Sequence, residues 1–179
     1  MLSPDPSLVR EAAEKFAAQL AQVAATADKE EAIRIACERE LGRLEDAAGI
    51  RLRGEPEFTV ASGFVDSVYD RVIIEYKNPS SPADRIGPSA QSPGTLAVVG
   101  QIKSRFTDLQ QEQGQPLNTL FGVGLDGKYF VFVRYLEDSW RVQPPIEVNK
   151  YSSERFLWAL FNLGIGGKGY TPAQLAKDF

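Results

Sequence analysis

Apolar residues recur at helical spacing from the start of the chain. Leu8, Val9, Ala12, Phe16, Leu20 and Val23 mark one face of a helix over residues 6–26, with Pro6 near its first turn. Asp28 is placed to cap a second helix that runs to Ala48 and stops at Gly49. The pattern then changes period. Residues 57–61 (EFTVA), 64–69 and 72–77 read as three strands, the last two joined at Asp70-Arg71. Residues 78–94 are dense in Pro, Ser and Gly and form a loop, and a helix follows over 95–113. LFGVGL (120–125), the turn Asp126-Gly127 and KYFVFVRYL (128–136) predict a hairpin. The second of its strands is apolar on both faces and is expected to be central. Residues 139–142 add an edge strand. A helix rich in Phe and Trp covers 152–163, Gly164 to Gly169 form a hinge, and a short helix runs from Pro172 to the end. This order predicts an α/β fold: a mixed sheet with helices packed on both sides. Residues 1–150 read as one domain and 151–179 as a C-terminal helical segment.

Composition narrows the chemistry. The chain has 179 residues, enough for one domain with a full core. No apolar run is long enough to span a bilayer, and Arg10, Glu11, Glu14 and Lys15 break the Ala-rich start too early for a signal peptide, so the expected compartment is the cytoplasm. One cysteine, Cys37, excludes an intrachain disulfide and a Cys-based zinc site. The absence of histidine removes Ser-His and Cys-His nucleophile schemes and His metal sites. A metal would have to be held by oxygen, which points to Mg²⁺, Mn²⁺ or Ca²⁺. The net charge of −4 makes the chain a poor electrostatic trap for nucleic acid on its own.

The stretch GFVDSVYDRVIIEYKNP (63–79) holds the candidate chemistry. An apolar strand, Val72-Ile73-Ile74, runs directly into Glu75 and Lys77. Charges at the end of a buried strand are costly unless paired or metal-bound. Strand alternation puts Glu75 and Lys77 on one face, about 7 Å apart. With a two-residue turn at Asp70-Arg71, Asp66 lies opposite Glu75, about 5 Å away between Cβ atoms. Two carboxylates that close repel, and a divalent cation between them relieves the repulsion.

Asp66 followed by Glu75-Tyr76-Lys77 after an apolar strand resembles the PD-(D/E)xK nuclease superfamily. Val65 stands where the family has Pro. The resemblance covers roughly residues 30 to 145. It implies a restriction-endonuclease-like sheet, Mg²⁺ or Mn²⁺ bound by Asp66 and Glu75, and a Lys77 that positions and polarises the attacking water. The wording "GxxDxVY…VIIEYK" is similar to nuclease modules fused to DNA methyltransferases in restriction-modification proteins. The ending TPAQLAKDF resembles the linker of such fusions, which would make this an N-terminal fragment with a downstream methyltransferase or specificity domain. DNA is the expected substrate. A non-catalytic interaction domain keeping the fold, and a structure-specific or RNA-directed nuclease, are the alternatives. Gln101 resembles the family's helical Gln but lies off the stripe Val99, Ile102, Phe106, so simple exposure is an equal reading. Lys103 beside it either snorkels or reaches a phosphate.

One further carboxylate stands out by helix phase. Taking Ile33 as zero, Ala36, Cys37 and Leu44 fall within about 60°, Glu40 within about 20°, and Glu38 about 140° away. Glu40 is therefore expected on the buried stripe and Glu38 in solvent. Glu40 needs a partner: either an Arg or Lys from a neighbouring strand, or the metal held by Asp66 and Glu75. Related nucleases often supply such a helical Glu, which favours the metal.

Overall fold

The computed structural model of the chain describes residues 3–52 and 54–164. Helix α1 (Pro6–Ala24) starts at Asp5, whose carboxylate accepts the Ser7 amide at 2.8 Å, with Pro6 in the first turn. Helix α2 (Glu30–Ala48) departs from expectation at its start. Lys29, not Asp28, holds the N-cap position, and no side chain caps the helix. Glu30 and Glu31 instead place negative charge against the positive end of the helix dipole. Gly49 ends α2 at φ 65°, as the sequence indicates. Asp28 contributes through its carbonyl, which accepts the Asn78 side chain at 2.7 Å and ties the start of α2 to the chain leaving the third strand.

Strands β1 (Gly54–Val60), β2 (Gly63–Tyr69) and β3 (Val72–Tyr76) form an antiparallel meander. Asp70 takes φ 52° in the β2–β3 turn, which gives the pairs Tyr69↔Val72, Val68↔Ile73 and Ser67↔Ile74. Helix α3 (Pro93–Gln113) crosses over to β4 (Phe121–Leu125), which pairs in parallel with β3. A 3₁₀ turn at Leu117–Thr119 precedes β4. Strands β5 (Tyr129–Leu136) and β6 (Ser139–Val142) continue the sheet in the order β1-β2-β3-β4-β5-β6, and a two-residue β7 (Ile146–Glu147) also pairs with β5. The sequence pattern does not reveal β7. Helix α4 (Lys150–Leu163) closes the described chain, opened by a reciprocal cap between Asn149 and Ser152. The short helix expected from Pro172, and the hinge beyond Gly164, lie outside the described residues.

The fold is α/β, a mixed seven-strand sheet with helices on both sides, consistent with a restriction-endonuclease-like arrangement. Helices α1, α2 and α4 cover one face, where Phe16, Phe130 and Phe156 pack with Ile74, Tyr76 and Val123. Helix α3 covers the other, over Ile73, Val131 and Val133. A strand covered on both sides needs no alternation, and all five residues of β3 are buried. The glycines of FGVGL record how close α3 comes. A Cβ at Gly122 would overlap Ile102, and one at Gly124 would press on Val98 at 3.0 Å. The described part of the C-terminal segment is not separate, because α4 shares a core with α1 through Phe16 and Phe156.

Candidate active site

The sheet delivers Glu75 and Lys77 to its α3 side at the end of β3, both buried. The Lys77 amide continues the parallel ladder by donating to Leu125 O at 2.9 Å. Glu75 is 2% exposed. Its carboxylate accepts Arg105 Nε at 2.9 Å, and the Arg105 side chain is also buried. Lys77 Nζ stands 3.9 Å from Asp84 in the loop that leaves β3.

Asp66 sits where β2 parts from β3. The ladder runs to Ser67↔Ile74 and stops there. Beyond it, Asp66 Oδ2 accepts the Tyr76 amide at 2.7 Å, so a carboxylate replaces the next main-chain acceptor. Strict alternation would send Val65 and Val68 to opposite faces, yet both enter the α3-side core. The alternation of β2 is therefore broken between Val65 and Val68, the stretch that carries Asp66.

The electrostatics show which groups converge. Burial pushes the Glu75 pKa up to about 7, and the Asp66 charge adds to the rise against the pull of Arg105 and Lys77. Asp66 is also raised, by burial, while the Tyr76 amide, Lys77, Arg34 and Arg105 oppose the rise. Glu30, in the exposed first turn of α2, is raised by desolvation and by the charges of Asp66 and Asp84, with Lys77 and Arg34 opposing. Asp66, Glu75, Lys77, Glu30, Arg34 and Arg105 therefore share one electrostatic neighbourhood.

Glu40 is not part of it. It is buried at 8% exposure, as helix phase requires, but the apolar stripe around it faces α1. There it lines a groove of about 520 Å³ with Leu8, Ala12 and Leu44. Its partners are neither a strand residue nor the carboxylate pair, but two arginines of the same helix, Arg43 at 2.7 Å and Arg39 at 3.6 Å. The expectation for Glu38 also needs correction. Glu38 is half-buried and accepts the Ser67 hydroxyl at 3.2 Å. Residues 30, 34 and 38 form the ridge of α2 that meets β2, and Glu40 falls on another.

Gln101 lies one turn before Arg105 on α3, half-buried, and its Oε1 finds no hydrogen-bond partner among the described residues. Lys103 points elsewhere, over the Trp140 ring at 5.4 Å. Arg105 is the residue that sequence reasoning missed. The helical wheel that set Gln101 aside places Arg105 about 60° from Ile102, inside the apolar stripe. A cation there demands a buried anion. Glu30 carries no such signal, because its place depends on where α2 begins.

Comparison with protein-family models, with curated proteins and with solved structures finds no match to this chain.

The donor set can be weighed for a divalent ion. Among the described residues, no group of three or more Asp, Glu or Cys side chains is close enough to cage a metal. Mg²⁺ does not require one, since it is commonly held by one or two carboxylates with waters and substrate phosphates. Asp66 and Glu75 supply two carboxylates, the charge of Asp66 acting on Glu75, each with one oxygen engaged by a protein donor and a second oxygen beside it. The residues fit such an ion.

Proposed function

We propose that this domain is a Mg²⁺- or Mn²⁺-dependent phosphodiester nuclease acting on DNA. The observation that carries this reading is that Asp66, where β2 and β3 separate, acts on the buried Glu75, whose pKa is pushed up to about 7 by burial and then by the Asp66 charge, with Lys77 buried two residues further on. A buried carboxylate raised further by a neighbouring carboxylate, in a chain without histidine, suits an oxygen-bound cation.

Asp66 and Glu75 would hold the metal, with Glu30 at the rim. When bound, the ion polarises the scissile phosphate and lowers the pKa of a water. Lys77 orients that water and offsets the negative charge that grows on the phosphate. Its ammonium is well placed for this because burial weakens competing solvation. The Tyr76 amide fixes one Asp66 oxygen, and Arg105 fixes one Glu75 oxygen, so both carboxylates are oriented before substrate arrives.

The resemblance to modules of restriction-modification proteins makes a downstream methyltransferase or specificity domain part of the proposal. A net-acidic domain gains affinity from such a partner. A second reading draws on Arg105. Its guanidinium already neutralises Glu75, as it would in a non-catalytic domain that keeps the fold. Calorimetric Mg²⁺ titration of the wild-type chain and Asp66→Asn decides between them. Binding lost in the variant supports the nuclease. No binding in either supports the interaction domain.

A further inference from the structure

Phe64 lies at the tip of the β1–β2 hairpin with 65% of its surface exposed. Single exposed apolar residues are common, so exposure alone says little. The backbone that carries this ring is fastened beside the carboxylates. The guanidinium that binds Glu75 through Nε also donates to the Phe64 carbonyl through Nη2 at 2.8 Å, and to the Ser62 hydroxyl through Nη1 at 2.5 Å. The Ser62 amide donates to Asp108 at 2.9 Å, and the Ala61 amide to Glu112 at 2.7 Å. Residues 61–64 are thus tied to three successive turns of α3. Gly63, at φ 128°, turns its open side to Arg105, and Val65 is fully buried. The aromatic ring between them is held outward.

Asp66 is two residues on, about 7 Å along the strand. That is comparable with the reach from a backbone phosphate to a neighbouring base. The charges of Lys77 and Arg34 that act on Asp66 suit the phosphate, and the ring suits the base. We infer that Phe64 stacks on a nucleobase next to the scissile phosphate, so the substrate strand carries an unpaired or frayed base at that position. The inference rests on the nuclease reading. Base–aromatic stacking tolerates any sequence because every base has a π-face. The braced hairpin keeps the ring from folding away when no base is present.

The test uses the full chain in a Lys77→Ala background with Ca²⁺ at low ionic strength, and oligonucleotides carrying 2-aminopurine. Phe64→Ala is expected to weaken binding of a single strand about tenfold and to abolish quenching of the probe. Phe64→Tyr restores both, and a blunt duplex is bound equally by all three. An unchanged unfolding temperature for Phe64→Ala confirms that the hairpin is intact. Equal single-strand affinity in the parent and Phe64→Ala overturns the inference, as does binding of no oligonucleotide by the parent. Self-association of the parent that vanishes in Phe64→Ala, with no change in nucleic-acid binding, also overturns it by assigning the ring to protein contact. Mg²⁺-dependent hydrolysis by wild type against Lys77→Ala judges the nuclease reading separately. Hydrolysis with unaltered binding in Phe64→Ala sinks the stacking role alone.

Discussion

Arg105→Met tests whether the buried ion pair organises the site. The substitution keeps a long apolar side chain but removes the donors to Glu75, Ser62 and Phe64. In the folded chain Glu75 takes up its proton near pH 7 rather than at the ordinary 4.5. Between these values the folded state binds more protons than the unfolded one, so the contribution of Glu75 to stability falls as pH rises. Without Arg105 the carboxyl pKa climbs further, and the fall is steeper. At about pH 8 the variant has to bury an uncompensated carboxylate or protonate it, and losing one partner of a buried pair costs about 3–5 kcal/mol. At about pH 5.5 Glu75 is already mostly neutral. The loss there is about 1–3 kcal/mol, from hydrogen bonds to Ser62 and Phe64 left unmade. Urea unfolding of both proteins at the two pH values measures the difference, with the denaturant slope checking that the unfolding reaction is unchanged. Arg105→Met combined with Glu75→Leu removes both charges and should recover most of the loss at about pH 8. Equal losses at the two pH values, or a double variant no better than the single one, would refute this account.

Other outcomes follow from the same geometry. Mg²⁺ affinity should weaken as pH falls through about 7, because Glu75 must lose its proton to bind; a calorimetric pH series that stays flat between about 6 and 8 excludes Glu75 as a ligand. Lys77→Ala should abolish DNA cleavage while circular dichroism remains that of wild type, and undiminished hydrolysis would remove Lys77 from the mechanism. Glu30→Gln should weaken Mg²⁺ binding, whereas Glu40→Gln, in the groove where Glu40 pairs with Arg43 and Arg39, should leave it intact; the reverse order would show that the α1–α2 groove is the wrong home for Glu40. Asp126→Ala should lower stability by about 3 kcal/mol or more in thermal unfolding, since that buried carboxylate accepts the amides of Ile86, Lys128 and Tyr129 at 2.8–3.0 Å.

Much of this molecule is set by local chemistry. The stripe of α1, the Gly49 stop, the Asp70-Arg71 hairpin and the Asp126-Gly127 turn follow from side-chain period and turn preference, which depend on neighbours a few residues away. The pairing sum that predicts Asp66 opposite Glu75 also holds, as far as Ser67↔Ile74. What happens one residue further is tertiary. The strands part there and Asp66 bonds the Tyr76 amide, while the β1–β2 hairpin is tied down by Arg105, Asp108 and Glu112, more than 40 residues away in sequence. Helix phase correctly buried Glu40 but could not say against what. A wheel gives the angle of a side chain about its own axis and allows the i,i+3 pairing with Arg43, but only the packing of α1 on α2 decides that this angle faces an interhelical groove. Glu30 is the converse case. Its phase is unremarkable, and the charge of Asp66 reaches it because the start of α2, tied to Asn78 through the Asp28 carbonyl, is set against the end of β3.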